Sequence, residues 1–203
     1  LSGTQTSTAA EKGLPGLPHH AAKAKRVVIL WQGGGPSHVD LFDEKPLMAE
    51  MKGKDIPDSI RGTTRLSTMS SGYAKWPCQP AIKPFRKYGQ AGISMTEMLP
   101  NIGSMADEIC LVRSMHTEAV NHAPGVTFFM TGAQVPGRPS MGAWVGYGLG
   151  SECQDLPGFV VLNGGLIPPG GLDNFNSGFL PASFQASVLG AGDPPVANIK
   201  RTE

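Results

Sequence analysis

The sequence is short of charged residues and has almost no excess of either sign. Charged residues make up 16% of its 203 residues, against roughly 25% in typical globular domains. With 17 Lys and Arg against 16 Asp and Glu, the formal net charge is +1. Such a chain has no cationic surplus with which to neutralise phosphates. The composition therefore excludes nucleic acid and an anionic membrane surface as expected partners.

Cysteine and long apolar runs are also scarce. The three cysteines, Cys78, Cys110 and Cys153, form no CxxC pair, which argues against a zinc knuckle or a redox motif. We interpret them as buried free thiols, with one disulfide plus a free thiol as the alternative. No apolar stretch of about 18 residues occurs, so the sequence predicts no transmembrane segment and no intact signal peptide. Because the chain begins with Leu1, we expect that a leader was removed or that the sequence is partial.

Glycine and proline are abundant, with 27 and 18 residues respectively. Together they are about twice as frequent as in average proteins, which predicts many ordered loops. Hydrophobic residues make up 40% of the chain, enough for one sizeable core. Residues 1–25 are small and polar and are predicted to be a flexible N-terminal tail or linker. Residues 26–203 are predicted to form one α/β domain.

Short apolar runs predict three buried strands with helices between them. The predicted strands are Val27–Trp31, Ile109–Arg113 and Phe159–Leu162. The first two predicted helices are Pro46–Met51 and Ser94–Glu108. The third has Pro124 in its first turn, continues through Val126–Met130 and stops at Thr131–Gly132. The fourth is Met141–Leu149, with Ser140 as its cap and Gly150 at its end. Alternation of strands and helices is typical of an α/β fold with a mostly parallel central sheet flanked by helices.

A glycine loop with histidine and aspartate follows the first predicted strand. Gly34 and Gly35 allow the backbone to approach a ligand closely. His38, Asp40 and Asp43 supply the imidazole and carboxylate groups that suit Zn²⁺ and similar ions. The loop lies where open α/β sheets bind ligands, and it matches no dinucleotide, P-loop or GxSxG motif. The pattern indicates either the edge of a metal site or a tight turn with local side-chain caps.

A second polar loop follows the second predicted strand and opens a helix. It contains His116, Glu118, Asn121 and His122. The N-terminus of a helix offers free N–H groups and a dipole that favour an anion such as a sulfate or phosphate ester. The alternative is a capped helix start with a buried, hydrogen-bonded histidine.

Two further segments have both a functional and an ordinary interpretation. Arg138 precedes a helix start and could pair bidentately with an oxyanion, or it could be a surface arginine of little energetic weight. The loop Asp173–Phe179 could line a pocket. Turn chemistry explains its Asn and Asp content equally well and is favoured.

Several segments together resemble a bacterial family of unknown function, numbered 1501, whose members are sulfatase-like exported proteins. The matching segments are Ala24–Leu30, Gly34–Pro46, Leu111–Thr117, Asn121–His122, Thr131–Gly132, Gly137–Gly142 and Leu156–Val161. The resemblance covers nearly everything after residue 22 and implies an alkaline phosphatase/sulfatase-like fold. Family members are longer than this chain, and their later Asp/His metal motifs are absent here. The resemblance therefore implies the N-terminal portion, with an incomplete fold, of a periplasmic or extracellular protein.

The resemblance also implies a metal ligand and a changed nucleophile. The first metal-ligand aspartate of the superfamily follows the first strand, which implies Asp40 as a ligand of zinc, calcium or a similar divalent metal. His38 and Asp43 are secondary candidates. Sulfatases carry Cys-x-Pro-Ser-Arg before a helix that ends in Thr-Gly, and here His122 occupies the nucleophile position. A formylglycine mechanism is then unavailable, and His122 is left as a nucleophile, a general acid–base or a metal ligand.

These features lead us to expect metal-dependent hydrolysis of sulfate or phosphate esters, on a small-molecule or polysaccharide substrate. The alternative is a catalytically inactive secreted binding protein on the same fold that recognises a sulfated polymer or a cell-surface partner. The residues expected to serve hydrolysis are His122, Asn121 and His116 for catalysis, and Arg138, Gly34 and Gly35 for substrate binding.

Overall fold

The computed structural model describes residues 13–62, 70–153, 155–192 and 195–196. Within these ranges the chain is a mixed α/β structure of short helices and strands. It divides into two compact units, one from Leu1–Trp31 with Asn121–Glu203 and the other from Gln32–Val120. No helix of the described residues is long and apolar enough to cross a bilayer.

The unit of residues 32–120 is built around a β-hairpin. Its elements are α1 (His38–Leu41), α2 (Leu47–Glu50), α3 (Asp58–Arg61), β1 (Phe85–Tyr88), β2 (Ile93–Thr96), α4 (Pro100–Ser104) and a 3-10 turn (Ala106–Glu108). Strands β1 and β2 are antiparallel, with Phe85 opposite Thr96. Ser94, Met95 and Thr96 on β2 are all buried, so β2 lies at the centre of this unit.

The other unit pairs two helices with a parallel strand pair. Its elements are α5 (His122–Thr131), α6 (Met141–Leu149), β3 (Val160–Asn163), β4 (Ser187–Gly190) and two 3-10 turns (Leu172–Phe175 and Ala182–Phe184). In the parallel pair, Val160 lies opposite Ser187. Val126 and Met130 on α5 and Ala143 on α6 are buried, so the core lies along these two helices.

Both long helices end where the sequence predicts. The Ser140 hydroxyl accepts a hydrogen bond from the N–H of Ala143 at 3.4 Å, and Gly150 with φ 76° follows the last residue of α6. Gly132 ends α5 in the left-handed region, with φ 75°, a conformation that glycine adopts without steric cost. The prediction of Met141–Leu149 is confirmed, and the helix predicted with Pro124 in its first turn begins slightly earlier, at His122.

Two of the three predicted strands are wrong. Neither Val27–Trp31 nor Ile109–Arg113 has strand structure, and Leu30 is 88% exposed. An apolar run becomes a buried strand only when neighbours pair with its backbone and cover its faces, and no described strand pairs with either run. The described residues form one antiparallel pair and one parallel pair, where the sequence predicted a larger, mostly parallel central sheet.

The third predicted strand is confirmed, as β3, but its partner was not foreseen. That partner, β4, lies in a region that the sequence predicted as loop. The predicted helix Ser94–Glu108 is also wrong in its first half, because Ser94 belongs to β2 and helical structure begins at Pro100. A residue that precedes proline avoids helical backbone angles, so Leu99 marks a boundary that the apolar pattern alone does not show.

Candidate functional site

The glycine loop turns the chain into the short helix α1. Gly34 and Gly35 have φ angles of 93° and 67°, which residues with a side chain rarely adopt. Ser37 then caps α1, and its hydroxyl accepts from the N–H of Asp40 at 3.4 Å. The capped-turn interpretation of this loop is therefore realised in the structure.

His38 and Asp40 point to different sides of α1. Residues two apart on a helix are separated by about 200° and do not face each other. A side-chain oxygen of Asp40 accepts a hydrogen bond from the N–H of Ile82 at 3.0 Å, which ties α1 to the loop before β1. Asp40 therefore has a structural contact in the fold, and His38 and Asp40 do not form a ready-made pair of ligands.

Asp43 lies among cationic groups. Its carboxylate forms an ion pair with Lys45 at 2.7 Å. The hydrogen bond from Lys45 lowers the pKa of Asp43 below its ordinary value of 3.8, and lost hydration opposes this effect. The charges of Lys45, His38 and Arg113 lower this pKa further. A metal ion at Asp43 would have to compete with the Lys45 ammonium group.

Within the described ranges, no three His, Cys, Asp or Glu side chains come together as a metal-binding group. The donor types at His38, Asp40 and Asp43 suit zinc or calcium. Asp40 is bonded to Ile82 and Asp43 to Lys45. These residues therefore offer single ligands, and a complete site would need further donors.

The second polar loop gives α5 an open N-terminus. Asn121 is the N-cap, with extended angles of φ −133° and ψ 155°, and its side chain makes no capping hydrogen bond. His122, the first helical residue, is exposed, so it is not the buried histidine of the alternative interpretation. The N–H groups of His122 and Ala123 precede the first intrahelical bond, from Gly125 to Asn121 at 3.1 Å. They point outward, as at any helix start.

Arg138 is exposed and lies in a tightly packed segment. The next two residues, Pro139 and Ser140, are buried, and the N–H of Ser140 donates to the carbonyl of Asn176 at 3.0 Å. A Cβ atom on Gly178 would lie 2.5 Å from the nitrogen of Pro139. Among the described residues Arg138 has no ion-pair partner, so its guanidinium group is available to an anion.

A buried polar pair that no local sequence pattern indicates supports α5. Asn174 is 0% exposed, and its Oδ1 accepts from the hydroxyl of Thr127 at 2.9 Å. Asn174 lies in the loop that was assigned to turn chemistry. Thr127, the partner of Asn174, is 47 positions away in sequence. The only signal that could have pointed to this pair is a loss of stability or function when Asn174 is substituted.

The predicted site residues fall in both units. Asn121, His122 and Arg138 belong to the unit that contains α5 and α6. His116 is exposed and belongs to the unit of residues 32–120. The same unit also holds the residues of the first loop, namely Gly34, Gly35, His38, Asp40 and Asp43.

An apolar groove of the α5–α6 unit is separate from the candidate site. It has a volume of about 490 Å³ and lies between the two helices, with Leu17, Phe129 and Trp144 among its lining residues. The lining is almost entirely apolar, and none of the predicted site residues contributes to it. The candidate polar groups of this unit, at the start of α5 and at Arg138, therefore lie outside this groove.

The fold and these polar groups define a mixed α/β protein with an open helix start that carries histidine and asparagine. The chain belongs to the family described as “Protein of unknown function (DUF1501)”, whose profile matches residues 24–203. The predicted membership of family 1501 is thereby confirmed. No curated protein and no solved structure matches the chain.

Proposed function

We propose that this chain provides the oxyanion-binding part of an exported hydrolase of sulfate or phosphate esters. The observation that carries the proposal is the start of α5, where exposed His122 follows Asn121, whose side chain makes no capping bond. Free N–H groups and the helix dipole favour an anion there by roughly 0.3–1 kcal/mol. The resemblance to sulfatases at this same position supports an ester as the ligand.

Each polar group has a role in the proposal. Asn121 and the first N–H groups of α5 would bind the non-bridging ester oxygens, and Arg138 would add a bidentate, charge-assisted contact. His122 would act as nucleophile or as general acid–base, with His116 in support. Gly34 and Gly35 would allow the substrate to approach the backbone.

A divalent metal such as zinc or calcium is part of the proposal. Asp40 is the favoured ligand, with His38 and Asp43 as secondary ones, and the metal would polarise the ester oxygen or activate a nucleophile. The remaining ligands would come from elsewhere in a longer family member, of which this chain would be the N-terminal portion. The fold would then be alkaline phosphatase/sulfatase-like, with a mostly parallel central sheet.

The test is hydrolysis of an aryl sulfate and an aryl phosphate by the complete protein, with zinc or calcium added. His122→Ala should lower kcat by roughly 10²–10⁴-fold, the usual contribution of a positioned acid or base. His20→Ala is the matched control, because His20 is exposed in the N-terminal segment and has no assigned role. Equal activity of His122→Ala and the wild type would contradict the proposal.

A second candidate is a catalytically inactive secreted protein that binds a sulfated polymer or a cell-surface partner. The contacts of Asp40 with Ile82 and of Asp43 with Lys45 favour it, because they use the candidate metal ligands internally. Metal analysis and binding to dextran sulfate separate the two functions. A complete protein that holds no metal and hydrolyses neither ester, yet binds dextran sulfate through Arg138, would favour the binding protein.

A further inference from the structure

Asn174 has one orientation that satisfies both ends of its buried amide. Its Nδ2 donates to the carbonyl of Pro169 at 2.9 Å, and its Oδ1 accepts from the Thr127 hydroxyl at 2.9 Å. A carbonyl can only accept, so the amide nitrogen must face Pro169. The oxygen is then directed at α5, and the amide joins the loop to the helix.

Thr127 carries this contact to the first turn of α5. Its hydroxyl lies 2.9 Å from the carbonyl oxygen of Ala123 and 2.9 Å from Oδ1 of Asn174. The single hydroxyl proton is shared between these two acceptors. Because Ala123 directly follows His122, the hydroxyl links the loop to the turn that carries the candidate oxyanion-binding groups.

Gly170 allows the loop to come this close. It has φ +89°, and a Cβ atom there would lie 2.8 Å from Oγ1 of Thr127 and 2.9 Å from Nδ2 of Asn174. A side chain at this position would push the two polar groups apart. The next residue, Gly171, has φ +77°, but a Cβ atom on it would meet no other atom within 4 Å.

The other end of the same loop holds the segment of Arg138. The carbonyl of Asn176 accepts from the N–H of Ser140 at 3.0 Å. Gly178 packs against the backbone of Arg138, because a Cβ atom on Gly178 would lie 2.7 Å from the Arg138 carbonyl carbon. Residues 169–178, which we call the 169–178 loop, therefore contact both α5 and the Arg138 segment.

We infer that Asn174 and Thr127 are positioning residues that fix the start of α5 relative to Arg138 through the 169–178 loop. The inference rests on the proposed function, in which His122 and Arg138 bind the same anionic ligand. Loss of the Thr127–Asn174 contact would displace His122 from Arg138, although both of these side chains would still be present. Small displacements of binding groups lower reaction rates strongly.

The test compares Thr127→Val, which keeps the shape and removes the hydroxyl, with Thr127→Ser, which keeps the hydroxyl. In the complete protein, Thr127→Val should lower kcat/KM for the aryl ester about tenfold, with most of the change in kcat. Thr127→Ser should stay within about twofold of the wild type. Gly170→Ala should behave like Thr127→Val, and Gly171→Ala is its control, with a similarly unusual φ and no clash.

Hydrogen exchange at the Ser140 amide provides a readout that needs no activity. If the loop couples the two segments, Thr127→Val and Gly170→Ala should speed exchange there roughly tenfold, while Thr127→Ser and Gly171→Ala should not. If the wild type hydrolyses neither ester, the proposed function is refuted. The exchange rate at the Ser140 amide then decides alone whether the loop couples the two segments. Unchanged exchange at Ser140 in Thr127→Val would overturn the inference. Faster exchange with unchanged kcat/KM would overturn the positioning role.

Discussion

Asp43 shows how a carboxylate of the predicted metal edge is used in the folded chain. It is paired with Lys45 and lies near the charges of His38 and Arg113. The lowered pKa of Asp43 means that its favourable interactions exist above pH 3.8 and are lost as the pH falls through the folded-state value. The sequence predicts Asp43 as a secondary metal ligand, and its partner in the folded chain is the Lys45 ammonium group.

We therefore predict a pH-dependent effect of Asp43→Asn. The variant should be less stable than the wild type at neutral pH, and the difference should shrink as the pH falls below 3.8, because the wild-type carboxylate then becomes protonated. Urea unfolding of both proteins across this pH range measures it. High salt should reduce the neutral-pH difference by screening the exposed pair. A difference that stays constant from neutral to acidic pH would contradict the assigned cause.

At the level of residues, the sequence predicted local positions along the chain better than contacts between distant residues. His122 was expected in the loop that opens a helix, and the structure places it as the first residue of that helix, α5. The partners of Asp40 and Thr127 are Ile82 and Asn174, which lie far away in sequence. Local patterns contain no information on such long-range contacts.

At the level of elements, caps were reliable and apolar runs were not. Ser140 and Gly150 bound α6 as predicted, because capping depends on a few adjacent residues. The run Val27–Trp31 has strong strand propensity but no strand structure. Strand formation depends on partners elsewhere in the chain, and propensity does not specify them.

Two glycines in α6 should respond in opposite ways to alanine. A Cβ on Gly142 would lie 2.5 Å from the ring of Phe159, whereas a Cβ on Gly146 would lie 3.4 Å from Phe184. Gly142→Ala should cost about 1–3 kcal/mol through overpacking. Gly146→Ala should stabilise by about 0.5–1 kcal/mol through helix propensity. Chemical denaturation measures both, and stabilisation by Gly142→Ala would show that α6 does not pack on Phe159 as described.

At the level of the whole molecule, the structure buries different apolar residues from those that the sequence predicted. The predicted first strand would bury Leu30, whereas Leu30 is 88% exposed. The observed core of the same unit includes Met130, which is 7% exposed. The sequence predicted the α/β class of the fold, but it did not predict which apolar segments form the core.

Alanine substitutions test this distribution directly. Leu30→Ala should change the free energy of unfolding by less than about 0.5 kcal/mol, as expected for an exposed position. Met130→Ala should cost about 2–5 kcal/mol, as expected for a buried one. Urea unfolding of the chain measures both. A cost above about 2 kcal/mol for Leu30→Ala would restore the buried-strand interpretation.

The two strand pairs are closed by connections of very different length. Strands β1 and β2 are joined by residues 89–92, and the parallel strands β3 and β4 by residues 164–186. Closing a roughly sixfold longer connection costs about 1.5 kcal/mol more chain entropy. The hairpin can therefore form early in folding, while the parallel pair waits for distant segments to meet. Because the 169–178 loop lies within the longer connection, its contacts with Thr127 and Ser140 are expected to be among the last that the chain makes.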